Sequence, residues 1–97
     1  MVDFEDILRG LAERARALRV LRQLRQEELA NRAGVGVMTV RRFEKTGRAS
    51  MENVLRIAFA LRAEAAFEAL FQAPKYRTLD EALAEPVRKV QRVRSAR

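Results

Sequence analysis

The sequence contains no cysteine, no histidine and no tryptophan, and the first two absences exclude whole classes of protein. Without cysteine there is no disulfide bridge and no thiolate metal site, which suits a reducing compartment. Without histidine, the common zinc sites and the Ser-His and Cys-His catalytic pairs are excluded. The early carboxylates, Asp3, Glu5 and Asp6, suit the first turn of a helix. We therefore expect no enzyme, no metal site and no cofactor.

Aromatic residues and long apolar runs are also scarce. Aromatics make up 6% of the 97 residues against 48% hydrophobic residues, so aliphatic side chains must form most of the core. No run approaches the roughly 20 apolar residues that span a bilayer. The opening "MVDFEDILRG" carries acids where a signal peptide has basic residues. We expect one small cytoplasmic domain with no membrane association, and its size favours a core shared between two copies.

Positive charge is what the chain has in excess. The net charge is +7 and the isoelectric point is about 11.2. Such a balance favours a polyanionic partner, most simply nucleic acid. Small basic proteins are common, however, so charge alone does not distinguish a nucleic-acid-binding protein from a basic protein with another role.

Helical spacing of apolar residues runs through nearly every segment, and no segment alternates as a strand does. The sequence predicts an all-α fold, a small bundle of about five helices. Asp3 and Ser50 are expected N-caps, and Gly47 an expected C-cap. Gly10 is a point where the first helix could break or bend. The stripes expected to be buried are Phe4, Ile7, Leu8, Leu11, Ala15, Leu18 and Leu21 in the first helix, and Met51, Val54, Leu55, Ala58 and Leu61 in a later one.

The C-terminal third is harder to divide. The alanine-rich run at 63–71 either continues the preceding helix or turns away from it, because no glycine or proline separates the two. A connection containing Pro74 follows, and "TLDE" at 78–81 is a capping box before a short helix. Residues 87–97 contain five basic residues and no acid, as a mobile tail does. The predicted division is an N-terminal domain, 1–72, and a C-terminal short helix with a basic tail, 73–97.

The stretch "RAGVGVMTVRRFE", which begins at Arg32, has two interpretations. A dinucleotide-binding loop needs Gly-x-Gly-x-x-Gly after a strand. Here Thr39 stands at the third glycine position and the preceding segment is helical. The other interpretation is a tight turn between two short helices. Gly34 tolerates the positive φ of such a turn, and Val40 and Phe43 seat the second helix on the core.

Two longer segments carry a resemblance to a known family. "QEELANRAGVGVMTVRRFEKTG" followed by "SMENVLRIAFAL" resembles the helix-turn-helix of Cro/cI-like (XRE-type) phage repressors and bacterial regulators. The similarity runs from about Arg19 to Leu61, with the motif at 26–45. This sequence departs from the family pattern at three positions. Arg25 stands where the family usually has Thr or Ser, Gly36 stands where Ser or Thr is commoner, and Arg62 stands where many members have Gly. The resemblance implies a sequence-specific transcriptional regulator, a repressor that binds a palindromic operator as a homodimer.

In such motifs the N-terminal part of the second helix faces base edges in the major groove of double-stranded DNA. The exposed face expected here is Val37, Met38, Thr39, Arg41 and Arg42. Arg42 is the first candidate for a bidentate contact to guanine, while Val37 and Met38 can pack on thymine methyls. The alternatives are a dimer or partner surface for the two apolar residues and a solvated face for the arginines.

Backbone contacts are expected beside these residues. Gln26, at the start of the first motif helix, holds the DNA backbone by resemblance, helped by the helix dipole. Arg25 and Arg48 flank the same surface, and Asn53 is a weaker candidate. Such contacts set the register on DNA and carry no sequence information.

Two further sets complete the predicted site. The resemblance implies a structural ion pair between Arg19 and Glu44 beneath the motif, either buried or exposed. Phe67, Leu70 and Phe71 are candidate dimer contacts, or they pack against the first helix of the same chain.

Two other functions stay open. One is the antitoxin of a toxin–antitoxin pair, which would bind its own operator and a HipA-like kinase toxin. The other is a non-specific nucleoid or RNA binder, against which the Val-Met-Thr face argues, because non-specific binding needs only charge. The basic tail fits either phosphate contacts or a protein partner.

Overall fold

The computed structural model describes residues 2–74, which form five helices and no strand. The helices are α1 (Phe4–Leu21), α2 (Gln26–Ala33), α3 (Val37–Thr46), α4 (Met51–Ala60) and α5 (Ala65–Glu68). The predicted all-α bundle is therefore confirmed for this part of the chain. The short helix expected after 78–81 and the basic tail at 87–97 lie outside the described residues.

Side-chain caps explain where α1 and α4 begin. The Asp6 backbone N–H donates to the Asp3 carboxylate at 2.8 Å, and the Asp3 N–H donates back to the Asp6 carboxylate at 3.4 Å. These bonds satisfy two amides that the first turn leaves unpaired. The backbone N–H of Asp3, helped by the neighbouring Arg9, lowers the pKa of the Asp6 carboxyl below its ordinary value. At α4, the Asn53 N–H donates to the Ser50 hydroxyl at 3.1 Å.

Residues with a left-handed backbone conformation mark where the chain leaves several helices. Gly34 (φ 72°) ends α2 and Gly47 (φ 77°) ends α3. Arg62 has φ 61°, a left-handed conformation that glycine adopts most readily, at the position where the resemblance leads us to expect glycine. The helix α4 therefore stops at Ala60 and the chain turns before α5, which decides between the two interpretations of 63–71. Gly10 neither breaks nor ends α1, which is continuous over 18 residues.

The core lies where α2, α3 and α4 meet, and α1 packs across it. Val40 is 0% exposed, Leu29 1% and Leu61 2%, with Phe43 and Ile57 beside them. The partly buried side chains that extend this core from α1 are Leu11, Ala15 and Leu18.

Four residues predicted to be buried are exposed instead. Phe4, Ile7 and Leu21 are 70%, 58% and 75% exposed, and Met51 is 60% exposed. All four lie towards helix ends. The helix α1 has 18 residues, a length of about 27 Å, and its ends extend past the shorter helices that it crosses. The apolar periodicity is as predicted, but in the part of the chain that the structure describes, packing partners lie only along the middle of the stripe.

An open, apolar groove runs between α1, α4 and α5. Its volume is about 560 Å³. Phe67 and Leu70 line it from α5 and the turn that follows, facing α1 and α4. Leu70 is still 48% exposed and Phe71 is 94% exposed, so the groove keeps an uncovered apolar margin. The other side chains that line the apolar groove include Leu8, Leu11, Leu18, Met51 and Val54. Within residues 2–74, no helix has the length and hydropathy to cross a membrane.

Candidate nucleic-acid interface

A tight turn sets the angle between α2 and α3. The Val35 N–H donates to the Ala30 carbonyl at 3.0 Å, and the Gly34 N–H donates to the Asn31 carbonyl at 3.3 Å. These bonds close the end of α2 while Gly34 reverses the chain. Because Ala30 is small and 4% exposed, α3 can pack closely against α2. The turn therefore holds α3 with one side on the core and the other side outward.

The outward side of α3 is the side that the periodicity predicts, but two of its five residues are only partly exposed. Met38 is 67% exposed, and Arg41 and Arg42 are also exposed. Thr39 is half-buried. Val37 is half-buried too, but it packs against the core rather than standing fully on the outer face. As the first residue of α3, its side chain leans back towards the preceding turn, because helical side chains point towards the N-terminus.

The two arginines of this face differ in their partners. The guanidinium of Arg41 lies 3.1 Å from the Glu27 carboxylate. Its Nε donates to the Gln26 side-chain oxygen at 3.3 Å. Arg42 has no carboxylate partner among residues 2–74, and its backbone carbonyl accepts a 2.8 Å bond from the Thr46 hydroxyl. Arg42 is therefore the arginine of α3 whose donors are available to a ligand.

The flanking arginines are paired with acids as well. Arg48 lies 2.7 Å from the carboxylate of Glu5, which raises the pKa of the Arg48 guanidinium. Arg25 precedes α2 without capping it through its side chain, and lies 3.5 Å from Glu28. The backbone N–H of Arg25 donates to Glu28 at 2.8 Å and lowers the pKa of that carboxyl. Asn53 is half-buried at the start of α4.

Beneath the motif, Arg19 and Glu44 form a two-bond ion pair. Arg19 donates from Nε at 2.6 Å and from Nη2 at 3.0 Å to the two Glu44 oxygens. The side chains are only 11% and 4% exposed. The Gln26 amide donates to Glu44 at 3.0 Å, so the residue expected to hold the DNA backbone is itself tied to this pair. The ion pair thus joins α1, the start of α2 and α3.

A family model described as helix-turn-helix matches residues 16–65. That range spans α2, the turn, α3 and α4, and it covers half of the chain. The chain belongs to the helix-turn-helix family. The resemblance to Cro/cI-like, XRE-type proteins is thereby confirmed, and the protein is a DNA-binding transcriptional regulator. No curated protein and no solved structure gives a match.

The ion pairs between glutamates and the arginines of this helix-turn-helix were not predicted from the sequence. Glu28 carried a local signal, because a glutamate three residues after an N-cap commonly bonds back to it. Glu5 and Glu27 carried no such signal, since they lie 43 and 14 residues from the arginines that they contact. Three of the four arginines expected to contact DNA thus have a carboxylate partner within the described residues.

Proposed function

We propose that the protein is a sequence-specific repressor that binds a palindromic operator as a homodimer, with α3 in the major groove. The observation that carries the proposal is the outer face of α3. Arg42 and Met38 are exposed there, on the side opposite Val40, which is fully buried. A helix held this way presents donors and an apolar surface to base edges, and the net charge of +7 favours approach to DNA.

Each residue of the face has a role in this proposal. Arg42 donates to guanine, Met38 packs on a thymine methyl, and Thr39 contributes a hydroxyl beside them. Val37 contributes only the exposed part of its side chain to the base-facing surface, because the rest packs on the core. Arg41 is the second base-reading residue. The phosphate contacts come from the flanking residues Arg25, Gln26, Arg48 and Asn53.

Replacing Arg42 with alanine should weaken operator binding by about 1–3 kcal/mol and relax the preference at one base pair in each half-site. The reason is the loss of a bidentate donor that has no competing carboxylate among the described residues. Titration of operator and random DNA by fluorescence anisotropy measures both effects. Arg9→Ala, on α1, removes the same charge outside the motif and is the control. Equal losses on operator and random DNA would assign Arg42 to a phosphate.

The homodimer is proposed to form through the apolar groove and its margin. Phe67, Leu70 and Phe71 provide apolar surface next to the groove, and contact with a second copy would remove that surface from water. A symmetric pair also doubles the number of base pairs read. In such a dimer the two copies of α3 meet one face of the duplex about 34–36 Å apart, or a multiple of this distance.

Replacing Leu70 with glutamate should therefore raise the dimer dissociation constant at least about tenfold, since a charge would be buried at the contact. Sedimentation velocity across a concentration series measures the change. The control is Phe59→Glu, which places the same charge at a 60% exposed apolar residue that does not line the groove. A wild-type protein that stays monomeric at micromolar concentration and binds one non-palindromic site would contradict the homodimer.

The antitoxin alternative stays a prediction. A toxin-like reading frame beside the gene of this protein is the observation that would favour it over a repressor acting alone.

A further inference from the structure

A continuous chain of hydrogen bonds links the buried ion pair to the outer face of α3. Arg19 donates to the Leu24 carbonyl at 2.8 Å and to Glu44. Glu44 accepts from Gln26, and Gln26 in turn accepts from Arg41. The exposed end of the chain is the contact of Arg41 with Glu27 at 3.1 Å. Arg41 is therefore not an independent surface charge, because it is held from below by Gln26 and from the side by Glu27.

These contacts occupy the edge of the guanidinium that most readily forms two parallel bonds. Nε of Arg41 donates to Gln26, and Nη2 donates to Glu27. The remaining nitrogen, Nη1, lies 3.7 Å from the Met38 sulfur, over the outer face of α3. A phosphate that approaches Arg41 must either displace the Glu27 carboxylate or contact an Arg41–Glu27 pair whose charges cancel.

We propose that Glu27 is a specificity-determining residue: it holds Arg41 across α2 and α3, and it withholds the charge of Arg41 from non-specific phosphate contacts. The inference rests on the proposed function, in which α3 reads the operator. It assigns Glu27 an action through Arg41 and no DNA contact of its own.

The expected energetics follow from counterion release. Non-specific affinity grows with the number of cationic side chains that reach phosphates, and each one steepens the salt dependence by about 0.9 in log–log slope. At about 0.1 M salt, one added phosphate contact corresponds to a factor of up to about eight in affinity. At the operator, Arg41 reaches a base through Nη1, the nitrogen over the outer face that the Gln26 and Glu27 contacts leave unoccupied, so freeing Arg41 from Glu27 adds less there.

The variant Glu27→Gln tests this inference, with operator and random duplexes titrated at several salt concentrations. Affinity for random DNA should rise severalfold and its salt slope should steepen by about one unit. Operator affinity should rise less, so the ratio of the two affinities falls. The control Glu13→Gln makes the same charge change at an exposed residue of α1, outside the motif, and should leave the ratio as it is.

The same substitution in an Arg41→Ala background separates an action through Arg41 from simple repulsion between Glu27 and DNA. If Glu27 acts through Arg41, Glu27→Gln should have no further effect on either affinity in the Arg41→Ala background. An equal effect in both backgrounds, or an unchanged ratio in the wild-type background, overturns it. A wild-type protein without any operator preference would instead contradict the proposed function, and the salt slope on random DNA would still test Glu27.

Discussion

Replacing Glu44 with glutamine is expected to lower the free energy of unfolding by about 3–5 kcal/mol, because it leaves a buried charge without its partner. Arg19 is 11% exposed and contacts both Glu44 oxygens. Glutamine keeps the shape of the side chain but removes the negative charge. Urea unfolding followed by far-UV circular dichroism measures the loss, since the described chain is helical.

Glu52→Gln provides the matched control for this experiment. It removes a carboxylate that also contacts an arginine, Arg56, at 3.0 Å, but the two side chains are 73% and 50% exposed. An exposed pair contributes less than about 1 kcal/mol. The double replacement Arg19→Met with Glu44→Leu should recover part of the loss, because no charge is then stranded. Similar losses for Glu44→Gln and Glu52→Gln would mean that the Arg19–Glu44 pair is solvated in solution.

Replacing Gly47 with alanine should cost roughly 2–5 kcal/mol of unfolding free energy, as the sum of backbone strain and overpacking. Gly47 has φ 77°, and a Cβ atom there would lie 2.2 Å from the Leu8 carbonyl oxygen. The obstacle is backbone, so it cannot rotate away, and α1 and α3 would have to separate. The midpoint of urea unfolding measures the effect.

Two other glycines of the motif make this a graded series. At Gly34 (φ 72°) an added Cβ meets only Arg56 Nη1 at 3.6 Å, so the cost is strain alone, about 1–2 kcal/mol. At Gly36, the N-cap of α3, an added Cβ meets nothing within 4 Å among the described residues, and its φ of −73° suits any residue. Alanine there should cost less than about 1 kcal/mol, because alanine is a poorer N-cap than glycine. A Gly47→Ala variant as stable as Gly36→Ala would show that α1 does not approach α3 as closely as the structure has it.

The features that could be predicted from the sequence alone are local ones. Asp3 and Ser50 begin their helices with side-chain caps, and Gly34 and Gly47 end theirs in the left-handed conformation. Each depends on residues within a few positions in the chain, which is why spacing and residue type were enough to predict it. The outward side of α3 follows in the same way from the period of 3.6 residues, once Val40 is placed on the core.

The length of each buried stripe and the pairing of distant charges could not be predicted, because both depend on how the helices pack. Phe4 and Leu21 continue the apolar pattern of α1, yet they are exposed because none of the helices within residues 2–74 packs against them. Arg41 lies beside Glu27, 14 residues away in sequence, because the turn brings the start of α2 next to α3. The physical reason is the same in both cases. Periodicity specifies the direction of a side chain around its own helix, whereas its neighbours depend on helix lengths, turns and crossing angles.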